Sequence, residues 1–313
     1  MTDSLKYTGI LKYKESLAQH TSWHVGGEAD CYYRPDNITD LLKFLSSLPE
    51  DEPLTWLGLG SNVLINDAGI KGTVIHTLGM GAKMPELLLD NNNDNNNEFL
   101  QNSDEKSVLI RADAGLPCAK LAKFCASNSL SGGEFFAGIP GTVGGALAMN
   151  AGAFGGETWN VVEKVEVANR KGECCFRRPE EYHIGYRVVK SPRAEEWFIA
   201  GYFRFERGDA TEASQQIKQL LRRRSETQPI GVFSCGSVFK NPPSDFAARL
   251  IETANLKGYR INDAEVSSKH ANFIINHGQA KAEDILNLIH YISETVWEKH
   301  QVLLQCEVRL LGF

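Results

Sequence analysis

Residues 138–157, GIPGTVGGALAMNAGAFGGE, decide how the chain is read. Seven of these twenty residues are glycine, and only Glu157 is charged. Glycine has no Cβ, so a segment this small lets backbone N–H groups approach a ligand closely. The Gly-Gly pairs at 144–145 and 155–156 offer positive φ, and consecutive amides in such conformations form concave anion sites. The guest that suits such a site is a phosphate-bearing cofactor. A tightly packed turn or buried strand pair would also use glycine for close backbone approach. Seven glycines, with Asn150 the one amide side chain among them, favour the cofactor.

A second glycine-rich turn lies at 57–62, LGLGSN, where the predicted strand 54–59 ends. It lacks the third glycine of a dinucleotide fingerprint and no helix follows at once, so it is a weak Rossmann signal. Ahead of both loops, residues 37–48 read as a helix capped by Asn37, with Ile38, Leu41, Leu42 and Leu45 on one face. Strands are predicted at 73–78 and 108–114, and a helix from Pro117 through Asn128. Residues 90–106, beginning DNNNDNNN, are low-complexity polar sequence that can bury nothing apolar and read as an exposed insertion.

Beyond residue 157 the pattern changes. Residues 161–168 and 173–178 flank the turn Asn169-Arg170-Lys171-Gly172 as an antiparallel hairpin, and 197–206 alternates as a strand. Helices are predicted at 209–226, with Ile217, Leu220 and Leu221 as its apolar face, at 244–255 with Ser244 as cap, and at 282–299. Residues 271–276 and 303–311 read as strands. Helix–strand alternation gives way to paired strands, which favours α+β over a doubly wound parallel sheet.

The chain has 313 residues, 42% hydrophobic and 23% charged, with a net charge of −6. That length allows two or three domains. The acidic balance argues against a general nucleic-acid binder. The first twenty residues hold no long apolar core, and no apolar run reaches the roughly 20 residues that span a bilayer. Seven cysteines, with no C-x-x-C, argue against disulfides and structural zinc. His270 and His277 are not spaced as a helical ligand pair, so no metal is expected. A cytoplasmic protein without membrane or nucleic-acid partners, and monomeric, is the expectation.

Three polar residues stand out once the motifs are set side by side. Ser237 lies in Cys235-Gly236-Ser237-Val238-Phe239-Lys240-Asn241-Pro242, which is not a hydrolase nucleophile elbow. Arg187 follows Tyr186, and Glu307 opens Glu-Val-Arg-Leu near the end. Taken alone they read as a turn serine, a surface charge and a strand ion pair with Arg309.

With 138–157, 57–62, 235–242, TSWHVGGEAD at 21–30 and CEVRLLG at 306–312, the chain resembles the UDP-N-acetylenolpyruvoylglucosamine reductase family over most of its length. That resemblance implies a vanillyl-alcohol-oxidase/PCMH-like FAD-binding fold in two parts, 1–80 and 81–206, with the C-terminal strand 301–313 returning to the second. A smaller α+β substrate domain would occupy 207–300. FAD, tightly but not covalently bound, would be held by Gly58, Gly60, Ser61, Asn62, Gly138, Ile139, Pro140, Gly141, Thr142, Gly144, Gly145, Asn150, Ala151 and Gly152.

The resemblance also implies the chemistry. NADPH reduces FAD, and the reduced flavin delivers hydride to the enolpyruvyl ether of UDP-N-acetylglucosamine, giving UDP-N-acetylmuramate for peptidoglycan. Ser237 would protonate the enolate carbon, with nearby Lys240 favouring its alkoxide. Arg187 would bind the substrate carboxylate and spread enolate charge, and Glu307 would order the proton network. The family often has proline where Cys306 stands. Tyr186, Lys240, Asn241, Lys257 and His270 are candidates for holding the sugar nucleotide. Asn241 has motif support; the other four have structural readings of equal weight. A PCMH-type flavin oxidase acting on a sugar or hydroxy acid would keep the glycine loops but not the Ser–Arg–Glu set together. A non-catalytic nucleotide-binding module would need none of the three.

Overall fold

The computed structural model describes residues 7–80, 84–88 and 106–313; the Asn-rich stretch read as an insertion lies outside them, except for Lys106. The described chain divides into two compact units, each assembled from separated stretches. The first takes its described residues from 7–10, 34–51, 77–80, 84–88 and 106–222; the second holds 11–33, 52–76 and 223–313.

In the first unit, Asn37 caps helix α1, Ile38–Ser47, by accepting the amide of Asp40 at 3.0 Å. Leu41, Phe44 and Leu45 are its buried face; of the residues read as that face, Ile38 and Leu42 are not. A sheet runs in the order Cys174–Arg177, Val162–Asn169, Glu196–Arg207, Ser107–Asp113, Glu86–Leu88. Its neighbours are all antiparallel, and the first pair is the predicted hairpin. Val108, Ile110 and Ala112 of one strand and Val165 and Val167 of another enter one core. Phe203, Phe205 and Phe136 join them, with helix α2, Cys118–Ser127, packing Leu121 and Cys125 on top.

Helix α3, Val143–Met149, was not expected, because its Gly144-Gly145 pair argues against helix. Tertiary fit overrides that propensity. Thr142 caps the helix by accepting the Gly145 amide at 3.3 Å, and Asn150 ends it in the left-handed region at φ 45°. Ala146 and Leu147 then bury their side chains in the core. Helix α4, Ala210–Thr227, runs through the boundary between the units; Ala213 is its one buried residue and Leu221 is 42% exposed. Of the apolar face read there, Ile217 and Leu220 are half-buried, Ile217 against the core, and only Leu221 is exposed.

The second unit has a four-stranded sheet in the order Ile10–Ser16, Glu28–Arg34, Ile70–His76, Leu54–Leu57. Its core continues through Trp23, Leu64, Val238, Phe239, Leu250 and Ile285. Burying a side chain the size of Phe239 contributes about 1.5–3 kcal/mol. Helix α5, Ala247–Thr253, is shorter than predicted. Ser244 does not cap it, since it sits at φ 66°; Asn241 does, accepting the Ala247 amide at 3.1 Å. Helix α6, Ala282–His300, matches its predicted span, and Asp67 accepts the amides of Ala282 and Glu283, both at 3.0 Å.

The end of the chain corrects two expectations. Only Arg309–Leu311 is strand, not 303–311, so Glu307 precedes it. That strand pairs in parallel with Val63–Ile65, so the C-terminus returns to the 1–80 stretch and not to 81–206. The ladder pairs Arg309 with Val63, Leu310 with Leu64 and Leu311 with Ile65, and the Asn66 amide donates to Leu311 O at 2.9 Å.

Candidate active site

The glycine-rich stretch 138–157 carries its amides differently from the expected anion nest. The Val143 N–H donates to Leu116 O and the Gly144 N–H to Ala114 O, both at 2.8 Å, and Gly145 donates to Thr142. Gly144 and Gly145 are helical, not at positive φ. Gly144 is required by packing: a Cβ there would lie 2.9 Å from that of Ala114. Gly145 is exposed, and its Cβ would meet nothing closer than the Thr142 hydroxyl at 3.6 Å. Gly155 does adopt positive φ, at 90°.

Asn150 is buried, and its side chain is fully engaged. Its Nδ2 donates to Glu157 Oε2 at 2.9 Å and to Gly185 O at 3.2 Å, while its Oδ1 accepts the Trp159 amide at 3.1 Å. This knot ties the glycine-rich stretch to the turn that presents Tyr186 and Arg187. Those two residues link the paired strands His183–Gly185 and Val188–Lys190. Arg187 holds φ 56°, a left-handed conformation that usually falls to glycine or asparagine and that costs a residue with a Cβ about 1 kcal/mol or more. Its Nη2 donates to Gly152 O at 3.1 Å, and its guanidinium lies 5.6 Å from the ring centre of Tyr186. Arg187 is half-buried and Tyr186 is 49% exposed. The first unit thus brings Asn150, Gly152, Tyr186 and Arg187 together.

In the second unit, Gly60 takes φ 72°, and a Cβ there would fall 2.0 Å from His20 O. Its carbonyl accepts the Ser22 amide at 2.9 Å and the Cys235 thiol at 3.6 Å. Burial pushes the Cys235 thiol up to about 12. Among the described residues the amides of Leu59, Gly60 and Ser61 donate to no backbone or side-chain group. A loop with successive open amides fits the pyrophosphate of a dinucleotide cofactor. Asn62 is turned to the C-terminal segment: its Nδ2 donates to Glu307 O and its own O accepts the Arg309 amide, both at 3.1 Å.

Ser237 is half-buried behind Gly236, which takes φ 76°, and its hydroxyl has no hydrogen-bond partner among the described residues. Its backbone neighbours are held on both sides. Glu307 donates its amide to Val238 O at 2.8 Å, Phe239 bridges Cys306, and Lys240 donates its amide to Gln305 O at 2.9 Å. Serine and glutamate, 70 positions apart in the sequence, therefore stand on adjoining backbones. Of the other residues read as substrate-binding, Lys240 is half-buried, and Asn241 uses its Oδ1 to cap α5. Lys257 pairs with Glu252 at 2.7 Å. His270 accepts the Asn272 amide at Nδ1, 3.3 Å away, and its ring lies edge-on to Phe273. Burial first, and the Lys257 charge with it, hold its pKa below 6.5.

No motif marks Asn272, yet it is part of the site's frame. It is buried, it accepts the Phe239 amide at 2.9 Å through Oδ1, and it donates to Phe239 O at 2.8 Å through Nδ2. The signal available was a lone amide in the apolar run ANFII, which a strand core tolerates only with partners. Among the described residues no group of three or more His, Cys, Asp or Glu could hold a metal ion, and no helix is long and apolar enough to cross a membrane.

A family model described as an FAD binding domain matches residues 29–175. One described as the C-terminal domain of UDP-N-acetylenolpyruvoylglucosamine reductase matches residues 228–311. A UDP-N-acetylenolpyruvoylglucosamine reductase of Coxiella burnetii is 55% identical over 308 residues, covering 97% of this chain and 96% of its own. One from Legionella pneumophila is 51% identical over 305 residues, covering 97% and 93%. The crystal structure of the corresponding reductase from Thermus caldophilus superposes with a TM-score of 0.76 at 30% identity, over 97% of this chain and 99% of that one.

Proposed function

The chain belongs to the UDP-N-acetylenolpyruvoylglucosamine reductase family, and from that premise we propose how its own residues carry the family's reaction. It is an FAD-dependent oxidoreductase that uses NADPH to reduce the enolpyruvyl ether of UDP-N-acetylglucosamine to UDP-N-acetylmuramate, a peptidoglycan precursor. The vanillyl-alcohol-oxidase/PCMH-like α+β fold goes with that cofactor. Bound FAD supplies the hydride chemistry, relaying two electrons from NADPH to the sugar nucleotide.

The residues that would hold FAD are those of 58–62, with their open amides, and of 138–152. Stretches 1–80 and 81–206 are the cofactor parts in this reading, and 207–300 is the substrate part. Arg187 binds the carboxylate of the enolpyruvyl group; its planar fork suits two carboxylate oxygens, and its permanent charge suits the enolate that follows. Ser237 gives its proton to the carbon next to that carboxylate. Glu307 orders the proton path and the acid group. Tyr186, Lys240, Asn241, Lys257 and His270 hold the sugar nucleotide, which carries a diphosphate. Of these, Lys257 is paired with Glu252 and Asn241 Oδ1 with the first amide of α5. The protein works as a cytoplasmic monomer.

One observation carries this reading. The Glu307 amide donates to Val238 O and Asn62 Nδ2 donates to Glu307 O, so the backbone beside Ser237, Glu307 and the 58–62 loop share one hydrogen-bonded register, which supports these roles. An anaerobic visible spectrum tests it. The purified protein should be yellow, bleach with NADPH, and turn yellow again on adding UDP-N-acetylglucosamine enolpyruvate. Recolouring only with oxygen would make it a flavin oxidase. Ser237→Ala should bleach normally and recolour with the sugar nucleotide about 100-fold more slowly or worse; recolouring at the wild-type rate would remove the serine from the mechanism.

A further inference from the structure

We propose that Asn272 is the positioning residue that aims Ser237, an inference that rests on the proton-donor role assigned to that serine. The Ser237 hydroxyl makes no hydrogen bond among the described residues, and Gly236 before it takes a positive φ that leaves the backbone free of Cβ restraint. The direction of the Ser237 side chain is therefore set by the peptide that follows it. That peptide ends in the Val238 N–H, which donates to Asn272 O at 2.9 Å.

Asn272 grips the next residue twice more. Its side-chain amide accepts from Phe239 N at 2.9 Å and donates to Phe239 O at 2.8 Å, as an opposite strand residue would with its own N–H and C=O. A short asparagine side chain thus supplies a strand's pairing where a full strand does not reach, since the nearby strand begins only at Ile274. Val238 is then fixed from both sides: its N–H by Asn272 and its C=O by the Glu307 amide at 2.8 Å. The same clamp that orients Ser237 sets the distance to Glu307. Phe239, fully buried, anchors the clamp in the core.

Removing this side chain leaves a buried N–H and C=O of Phe239 unpaired, at about 1–3 kcal/mol each, so some loss of stability accompanies any variant. Positioning differs from stability in what else it slows. A general loosening slows both half-reactions, whereas misdirecting Ser237 slows only the step in which it gives its proton; a displacement of about 1 Å can cost about 100-fold.

The experiment compares Ser237→Ala, Asn272→Ala, Asn272→Ser and the double variant Ser237→Ala/Asn272→Ala, all as FAD-loaded protein. Flavin content, thermal unfolding and the two half-reactions are measured separately. If Asn272 acts through Ser237, Asn272→Ala and Asn272→Ser bleach with NADPH within about twofold of wild type and recolour with the sugar nucleotide at least tenfold more slowly. The double variant is then no slower than Ser237→Ala alone, because residues that act as a unit are not additive. Multiplying effects in the double variant, or equal slowing of both half-reactions, would overturn the inference. So would wild-type recolouring in both Asn272 variants while Ser237→Ala is slow. If Ser237→Ala itself recolours normally, the serine's role has failed, and the inference with it. Should Asn272→Ala not fold, Asn272→Ser, which keeps one hydroxyl for Phe239, carries the comparison.

Discussion

The loops 58–62 and 138–157 share a composition and use it in opposite ways. In 138–157 the glycines admit a helix: Val143, Gly144 and Gly145 donate their amides to Leu116, Ala114 and Thr142, and the chain packs closely on Ala114. In 58–62 the glycine at positive φ sits against His20, and the amides of Leu59 to Ser61 stay open among the described residues. Glycine richness marks close approach in both cases, but the helix amides of 143–145 go to protein acceptors, whereas those of 59–61 are left for a ligand. Composition alone does not separate these cases; the destination of each N–H does.

The largest effect that would sharpen this contrast is expected at Gly60. Gly60→Ala adds a Cβ 2.0 Å from a backbone oxygen at φ 72°, and should cost about 3 kcal/mol or more in thermal unfolding, with loss of bound flavin. Gly144→Ala adds a Cβ facing the Ala114 side chain at 2.9 Å, in a helical conformation that alanine accepts. Its cost should be smaller, about 1–3 kcal/mol. A Gly144→Ala protein as unstable as Gly60→Ala would break the distinction between a packing glycine and a conformational one.

Gly145→Ala should go the other way. The site has room and is helical, so the apoprotein should gain about 0.5 kcal/mol from lost unfolded-state freedom. Measured flavin affinity then decides whether the cofactor lies against this face: a stabilised apoprotein that binds FAD poorly keeps Gly145 in the cofactor site, and unchanged affinity takes it out.

The smallest effect is a pH dependence. Cys118 and Cys235 are buried thiols, one donating its amide to Gly141 O and the other its S–H to Gly60 O, and both are pushed up to about 12. Their unfolded value is the ordinary 9.0. Between about 9 and about 12 the folded protein keeps protons that the unfolded chain has released, so stability falls as pH rises through that window. Cys235→Ala should flatten part of that alkaline limb while leaving unfolding at pH 7 within about 1 kcal/mol of wild type, because one weak S–H bond is lost there. An unchanged alkaline limb would show that this thiol is not what titrates.

Much of the fold could be read from local signals. Asn37 before α1, the period of α6 and the turn between 162–169 and 174–177 each depend on neighbours in sequence. What could not be read depends on distant ones. Helix α3 exists because Ala114 and Leu116 accept its first amides, and the short C-terminal strand because Val63–Ile65 pairs with it. The site shows the same divide. Ser237, Arg187 and Glu307 came from motifs, while Asn150, Asn62 and Asn272 hold those motifs through bonds that only the folded chain reveals.

The second unit is closed by contacts between the two ends of its own sequence: Trp23 Nε1 reaches Ile274 O across 251 positions, and Asn62 reaches Glu307 O across 245. During synthesis at roughly 5–20 residues per second, residues 11–33 and 52–76 leave the ribosome well before any of these partners exists. Their sheet must wait with apolar edges uncovered, whereas 107–207 can pair within itself as it emerges. The late arrival of 223–313 makes the second unit the slower to form and the more exposed to chaperones and proteases along the way. A slow, burst-free refolding phase that reports on Trp23, after the sheet of 107–207 has formed, is the kinetic mark of such a ring closed by its last links.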